Sequence, residues 1–137
     1  MKKILIVKAP YYEDVVNEMY ERALDVLVRH DVNQSDKVKI KYETIDVAGA
    51  FEIPVSISKN IKKYDGFIAL GCVIKGETPH FDFISRAAID GIMKISIENR
   101  KPIGNGIITC LNMRQAIARK NKGREAAEAV ISVLLLK

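Results

Sequence analysis

Apolar and polar residues follow one another along this chain in two periods. From Lys3 to Lys8 a short β-branched run carries Ile4, Ile6 and Val7, which predicts a strand. From Glu13 to His30, Val16, Met19, Tyr20, Ala23 and Leu27 recur at spacings of three and four, which puts them on one face of a helix. Period two returns over Val38 to Val47: Val38, Ile40, Tyr42 and Thr44 alternate with lysines and Glu43, as in a half-exposed strand. Gly49-Ala50-Phe51-Glu52-Ile53-Pro54 follows, and Pro54 suits the first turn of a helix running to about Lys62, where its missing N–H is harmless. Gly66 to Ile74 is apolar nearly throughout, which fits a central strand buried on both faces. After a break at Gly76-Glu77-Thr78-Pro79, His80 to about Glu98 reads as a long helix with Phe81, Ile84, Ala88, Ile92 and Ile95 facing inward. Ile103 to Thr109 is the next strand, Asn112 caps a short helix to Arg119 or Lys120, and a last helix spans roughly Gly123 to Leu136.

Alternating strands and helices predict a parallel sheet with helices on both faces. In such sheets a ligand sits in the crevice beyond the carboxyl ends of the strands. The informative segments are therefore the strand-to-helix junctions: Ala9 to Tyr12, Ala48 to Glu52, Ile74 to His80, and Thr109 to Asn112.

Composition narrows the setting. The 137 residues are one domain's worth, and 48% apolar against 28% charged is a globular balance that excludes a disordered chain. No apolar run reaches the ~18 residues of a membrane span. The opening Met1-Lys2-Lys3 precedes an apolar run, Ile4 to Val7, that is too short for a secretory signal. Cys72 and Cys110 lie in apolar segments, as reduced, buried thiols do, and with His30 and His80 they show no metal-ligand spacing. These features predict a cytoplasmic protein without a metal site. The net charge of +5 admits nucleic acid as a partner but equally suits acidic small molecules. Lysines are spread over many segments, including Lys37-Val38-Lys39-Ile40-Lys41, and no nucleic-acid-binding signature accompanies them, so no nucleic-acid partner is expected.

The third junction is richest in chemistry. Lys75-Gly76-Glu77-Thr78 precedes a helix N-terminus, where free N–H groups and the helix dipole suit an anion and Thr78 can add a hydroxyl. The same residues also read as a plain turn at Gly76 with a Thr78 cap. His80, in the first helical turn, can shuttle protons or merely bond a loop carbonyl. His30, at a helix end, reads as structural. At the first junction Tyr11 or Tyr12 can stack on a planar ring or staple the helix start. Glu52 can accept from polyol hydroxyls or simply favour a helix start. Arg119, Lys120, Lys122 and Arg124 form a basic cluster that is either a solvated face or a phosphate ligand. Cys72 as a nucleophile paired with His80 is rejected, because an apolar strand stabilises a thiolate poorly.

Four segments together resemble the lumazine synthase family over essentially the whole chain. They are Gly49 to Pro54, Ala69 to Asp82, Pro102 to Thr109, and Asn121 to Ala127. The resemblance implies a single domain, 1–137, with a flavodoxin-like α/β/α sandwich on a four-stranded parallel sheet. It implies a transferase of riboflavin biosynthesis that condenses 5-amino-6-(D-ribitylamino)uracil with 3,4-dihydroxy-2-butanone 4-phosphate, releasing phosphate and water, without metal or organic cofactor. The course it implies is imine formation, phosphate elimination, ring closure and dehydration. A ribityl-pyrimidine- or flavin-binding relative without catalysis is the alternative.

Carried over position by position, His80 matches the proton-transfer histidine. Gly76, Glu77 and Thr78 match the phosphate turn, and Arg119 the arginine paired with that phosphate. Ala50, Phe51 and Glu52 match the segment that meets the ribityl chain. Cys72, Val73 and Ile74 match the substrate-binding strand end, with Val73 and Ile74 at the pyrimidine edge. Tyr11 falls where the family stacks an aromatic ring, although Ala9-Pro10-Tyr11-Tyr12 replaces a common Arg-aromatic-Asn pattern and leaves Tyr11 and Tyr12 both eligible. Asn105 and Lys122 match positions contributed by a neighbouring subunit, so the pocket is implied to be shared between copies. Ala118 stands where many members carry an acid beside the arginine. A connection after Arg119 shorter than usual and a start directly at the first core strand favour a pentamer over paired pentamers or sixty-subunit shells. The resemblance also leaves room for association with riboflavin synthase.

Overall fold

The computed structural model describes residues 1–33 and 39–136. Among them, four strands form one parallel sheet in the order β2-β1-β3-β4: β1 (Lys2–Lys8), β2 (Ile40–Asp46), β3 (Gly66–Ile74) and β4 (Ile103–Cys110). The helices are α1 (Glu13–Asn33), α2 (Ile53–Lys59), α3 (His80–Asn99), α4 (Met113–Ala118) and α5 (Lys122–Leu134), and a 3-10 turn at Ala50–Glu52 leads into α2.

Successive residues of β1 and β3 feed opposite faces, and both faces are covered. Ile4, Ile6, Ile68 and Leu70 bury against Val16, Met19 and Leu27 of α1 and Ala127 and Val130 of α5. Leu5, Val7, Phe67 and Ala69 bury against Ile53 and Ile57 of α2 and Ala88 and Ile92 of α3. This is the three-layer α/β/α sandwich that the alternation predicts, in the flavodoxin-like doubly wound order. It explains why β3 is apolar nearly throughout and why Ile4 to Val7 of β1 are all apolar and buried.

The chain crosses from β1 to β2 through α1 on one face. It then turns back past β1 to β3 and on to β4, through α2 and α3 on the other. Crossovers of a single hand require that exchange of face when the direction reverses. β1 and β3 are adjacent strands whose following helices lie on opposite faces. A crevice therefore opens at their carboxyl ends.

Local details depart from the sequence expectations for physical reasons. α1 runs on to Asn33, past His30. α2 stops at Lys59, because the Asn60 side chain donates to the Ser56 carbonyl at 2.8 Å and turns the chain out of the helix. Tyr42 is 40% exposed, because β2 is the outer strand, beyond the helices that close over β1 and β3. Lys37 and Val38 lie outside the described residues. Asn112 caps α4 as expected, its Oδ1 accepting from the Gln115 N–H at 3.0 Å. Gly123 allows α5 to lie directly on α1: a Cβ there would collide with the Met19 carbonyl. Among the described residues no helix is long and apolar enough to cross a membrane.

Candidate active site

A cavity of about 560 Å³ occupies the crevice between the ends of β1 and β3. Three of the four junctions wall it. The exit of β1 supplies Tyr11 and Tyr12, that of β2 supplies Gly49 to Glu52, and that of β3 supplies Cys72 to Ile74 with Gly76 and Thr78. The first turns of α3 close it with His80, Phe81 and Ile84.

Each wall has a local cause. The Ala9 N–H donates to the Leu70 carbonyl at 2.9 Å, so β1 stays tied to β3 until the chain turns out at Pro10. The two tyrosines then part: Tyr11 is 75% exposed at the mouth, whereas Tyr12 is half-buried and packs on the core beside α1. At the second junction the Glu52 N–H donates to the Gly49 carbonyl at 3.0 Å and tightens the 3-10 turn. Its carboxylate folds back over Gly49, with Oε1 at 3.2 Å from where a Cβ would stand. Phe51, 57% exposed, lies on the rim.

The third junction separates the two readings of Gly76. Gly76 has no positive φ, and a Cβ there would meet nothing within 4 Å, so backbone geometry does not require glycine. The residue instead leaves the backbone bare toward the cavity. The Lys75 N–H donates to the Cys110 carbonyl at 2.9 Å. Among the described residues the next three N–H groups, of Gly76, Glu77 and Thr78, donate to no backbone carbonyl outside helices and strands. Thr78 Oγ1 accepts from the His80 N–H at a long 3.4 Å, and Pro79 occupies the N-cap. The Thr78 hydroxyl proton is left to donate elsewhere. Such a run of open donors at the start of a 20-residue helix is chemically suited to an anion.

Cys72 belongs to the floor. Burial, with Cys110 nearby, pushes its thiol up to about 12, so it is a neutral wall group and no nucleophile. Neither cysteine is paired.

Eleven of the site candidates singled out in the sequence thus share the cavity: Tyr11, Tyr12, Ala50, Phe51, Glu52, Cys72, Val73, Ile74, Gly76, Thr78 and His80. Glu77, Asn105, Arg119 and Lys122 are outside its wall. Asn105 is exposed on β4, its Oδ1 accepting from the Ile107 N–H at 3.0 Å. Lys122 faces Glu125 at 3.8 Å. Arg119 Nη1 donates to the Thr109 carbonyl at 3.4 Å and contacts Cys110 Sγ at 3.6 Å. The Cys110 carbonyl points toward β3, since it accepts from Lys75. Carbonyls alternate in direction along a strand, so that of Thr109 points to the open edge of β4. The guanidinium therefore lies at the outer edge of the sheet, one strand away from the crevice. Among the described residues no lysine or arginine lines the cavity.

Phe81 and Ile84 are lining residues that helical periodicity assigns to the core. Both are half-buried. Their signal is position: they fall in the opening turns of the helix that follows the central strand.

A doubly wound parallel sheet with an aromatic, a carboxylate, an imidazole and a turn of open N–H groups at its switch point defines an α/β enzyme for small polar molecules. The family model for 6,7-dimethyl-8-ribityllumazine synthase matches residues 1–137. Among curated relatives, 6,7-dimethyl-8-ribityllumazine synthase from Bartonella tribocorum is 41% identical, covering 95% of this chain and 91% of its own. The protein of the same name from Sulfurimonas denitrificans is 39% identical over 97% and 88%, and that from Corynebacterium kroppenstedtii 40% over 85% and 78%. The chain belongs to the 6,7-dimethyl-8-ribityllumazine synthase family and is an enzyme of riboflavin biosynthesis.

Proposed function

We infer that the protein condenses 5-amino-6-(D-ribitylamino)uracil with 3,4-dihydroxy-2-butanone 4-phosphate to 6,7-dimethyl-8-ribityllumazine, with loss of phosphate and water. One observation carries this reading. A single crevice holds a carboxylate-bearing turn on one side and an imidazole beside the Gly76–Thr78 turn on the other, with a strand end between them.

The substrate's amine is itself the nucleophile, so the protein's task is to position two molecules and move protons. Glu52 accepts from the ribityl hydroxyls beside Ala50 and Phe51. Cys72, Val73 and Ile74 meet the pyrimidine, and its ring lies under Tyr11. The N–H groups of Gly76, Glu77 and Thr78, with the Thr78 hydroxyl, take the phosphate. His80, in the same turn, takes and returns protons as the imine forms, phosphate leaves and the ring closes.

Among the described residues no cation of the same chain lines the cavity to meet a phosphate at this turn, while Arg119 stands at the sheet's outer edge. The reading that accounts for both facts is a pocket completed by Arg119, Lys122 and Asn105 of a neighbouring copy. We assign the assembly to a cyclic pentamer; the tight connection from Ala118 to Lys122 is in keeping with that state, and light scattering that found a megadalton shell would overturn it. The unpaired cysteines suit a cytoplasmic setting.

The direct test is to supply both substrates and follow lumazine formation. Product is expected, and His80→Ala is expected to slow turnover by on the order of 10²-fold or more with the fold intact. Tight binding of a ribityl-pyrimidine without product would make the protein a binder, and unchanged kinetics in His80→Ala would remove the imidazole from the mechanism.

A further inference from the structure

Tyr11 and Tyr12 leave β1 side by side and meet different surroundings. Tyr12 is anchored: its ring packs on the hydrophobic cluster beside α1, and it also walls a groove with Met113 and Ile117 of α4. Tyr11 projects at the mouth of the crevice, mostly in solvent. The ring centroids are 5.0 Å apart and the planes stand at 82°, the edge-to-face arrangement that ring quadrupoles favour.

An exposed aromatic that must stack on a ligand loses side-chain freedom on binding, and any contact that orders it beforehand lowers that cost. We propose that Tyr12 is a positioning residue for the reaction: its anchored ring holds that of Tyr11 over the crevice, where Tyr11 stacks on the planar pyrimidine. This inference rests on the pyrimidine substrate assigned above. The contact is between rings, so the Tyr12 hydroxyl is dispensable. Burial, with Tyr11 and Cys72 alongside, pushes that phenol above its ordinary range, so it stays neutral wherever the enzyme works.

The chain contains no tryptophan, so Tyr11→Trp introduces a single fluorophore at the crevice mouth. Its anisotropy in the ligand-free protein is expected to be unchanged by Tyr12→Phe and lowered by Tyr12→Leu. With Tyr11 native, Tyr12→Leu is expected to raise KM for 5-amino-6-(D-ribitylamino)uracil about fivefold with kcat nearly unchanged, and Tyr12→Phe to match the parent. If Tyr12 acts through Tyr11, the double variant Tyr11→Leu/Tyr12→Leu binds this substrate no worse than Tyr11→Leu alone. Tyr12→Met repeats these arms should Tyr12→Leu melt below the parent. Unaltered anisotropy in Tyr12→Leu, or KM effects that multiply in the double variant, would overturn the proposal. Failure of the parent to form lumazine would sink the assigned reaction instead, while the anisotropy would still report on the two rings.

Discussion

The two helical layers of the sandwich are finished to different degrees. Gly123 brings α5 against the α1 backbone, Arg124 of α5 pairs with Asp25 of α1 at 3.6 Å, and Lys120, in the connection before α5, pairs with Glu18 of α1. The α3 layer buries Ala88 and Ile92 inward but leaves Phe83, Met93 and Ile97 exposed by 70%, 59% and 68%. At 100° per residue those three fall on one side of α3, opposite its buried stripe. The first layer is tied together within the chain by that backbone contact and those ion pairs. The other has a second apolar face, of the kind that marks a contact with another protein. It is the face that the proposed assembly of copies would cover.

Charging α3 gives the largest expected effect. Phe83→Asp combined with Ile97→Asp should leave a folded monomer by light scattering, with lumazine formation down by on the order of 10³-fold because the shared pocket is no longer positioned. A fully active monomer would show that the open layer serves no assembly. Gly123→Ala attacks the closed layer and should cost about 3 kcal/mol in urea denaturation, since the added methyl meets backbone that cannot give way. A cost near zero would mean that the contact between α1 and α5 is loose.

Arg119→Ala should cost about 1.5–3 kcal/mol in kcat/KM for the phosphorylated substrate, with KM for the pyrimidine little changed. Equal losses for both substrates would place the guanidinium elsewhere than at the phosphate. The smallest effect concerns Cys72. The folded thiol ionises only near 12, whereas the unfolded one ionises at its ordinary value of 9.0. The unfolded chain binds fewer protons between these values, so this contribution to stability is complete below about pH 9 and declines as pH rises through that window. Melting temperatures of parent and Cys72→Ser across the window should converge as it is lost.

Much of this was legible in the residues. β1, β3 and α3 announce themselves by apolar runs and by a clean helical period, and the crevice falls at the strand-to-helix junctions because parallel sheets leave their strand ends open there. Period two marks β2 as half-exposed, but it does not tell an outer strand from an inner one, and the exposure of Tyr42 follows from the edge position. Phe81 and Ile84 were read as core because helical period reports a face and not what that face meets near the helix end. The separate fates of Tyr11 and Tyr12 depend on how two adjacent side chains pack, which spacing does not encode. Arg119 likewise required the direction of one strand's carbonyls before its place at the sheet edge could be stated.

The cavity wall without lysine or arginine has a consequence for the chemistry of dilution. A solitary chain can greet an uncharged ring, yet it offers a phosphorylated sugar only amides and a hydroxyl. If cations arrive with the neighbour, output per chain climbs with the amount of protein until rings are closed. Below that threshold each chain would be folded but idle, a catalyst switched on by its own abundance.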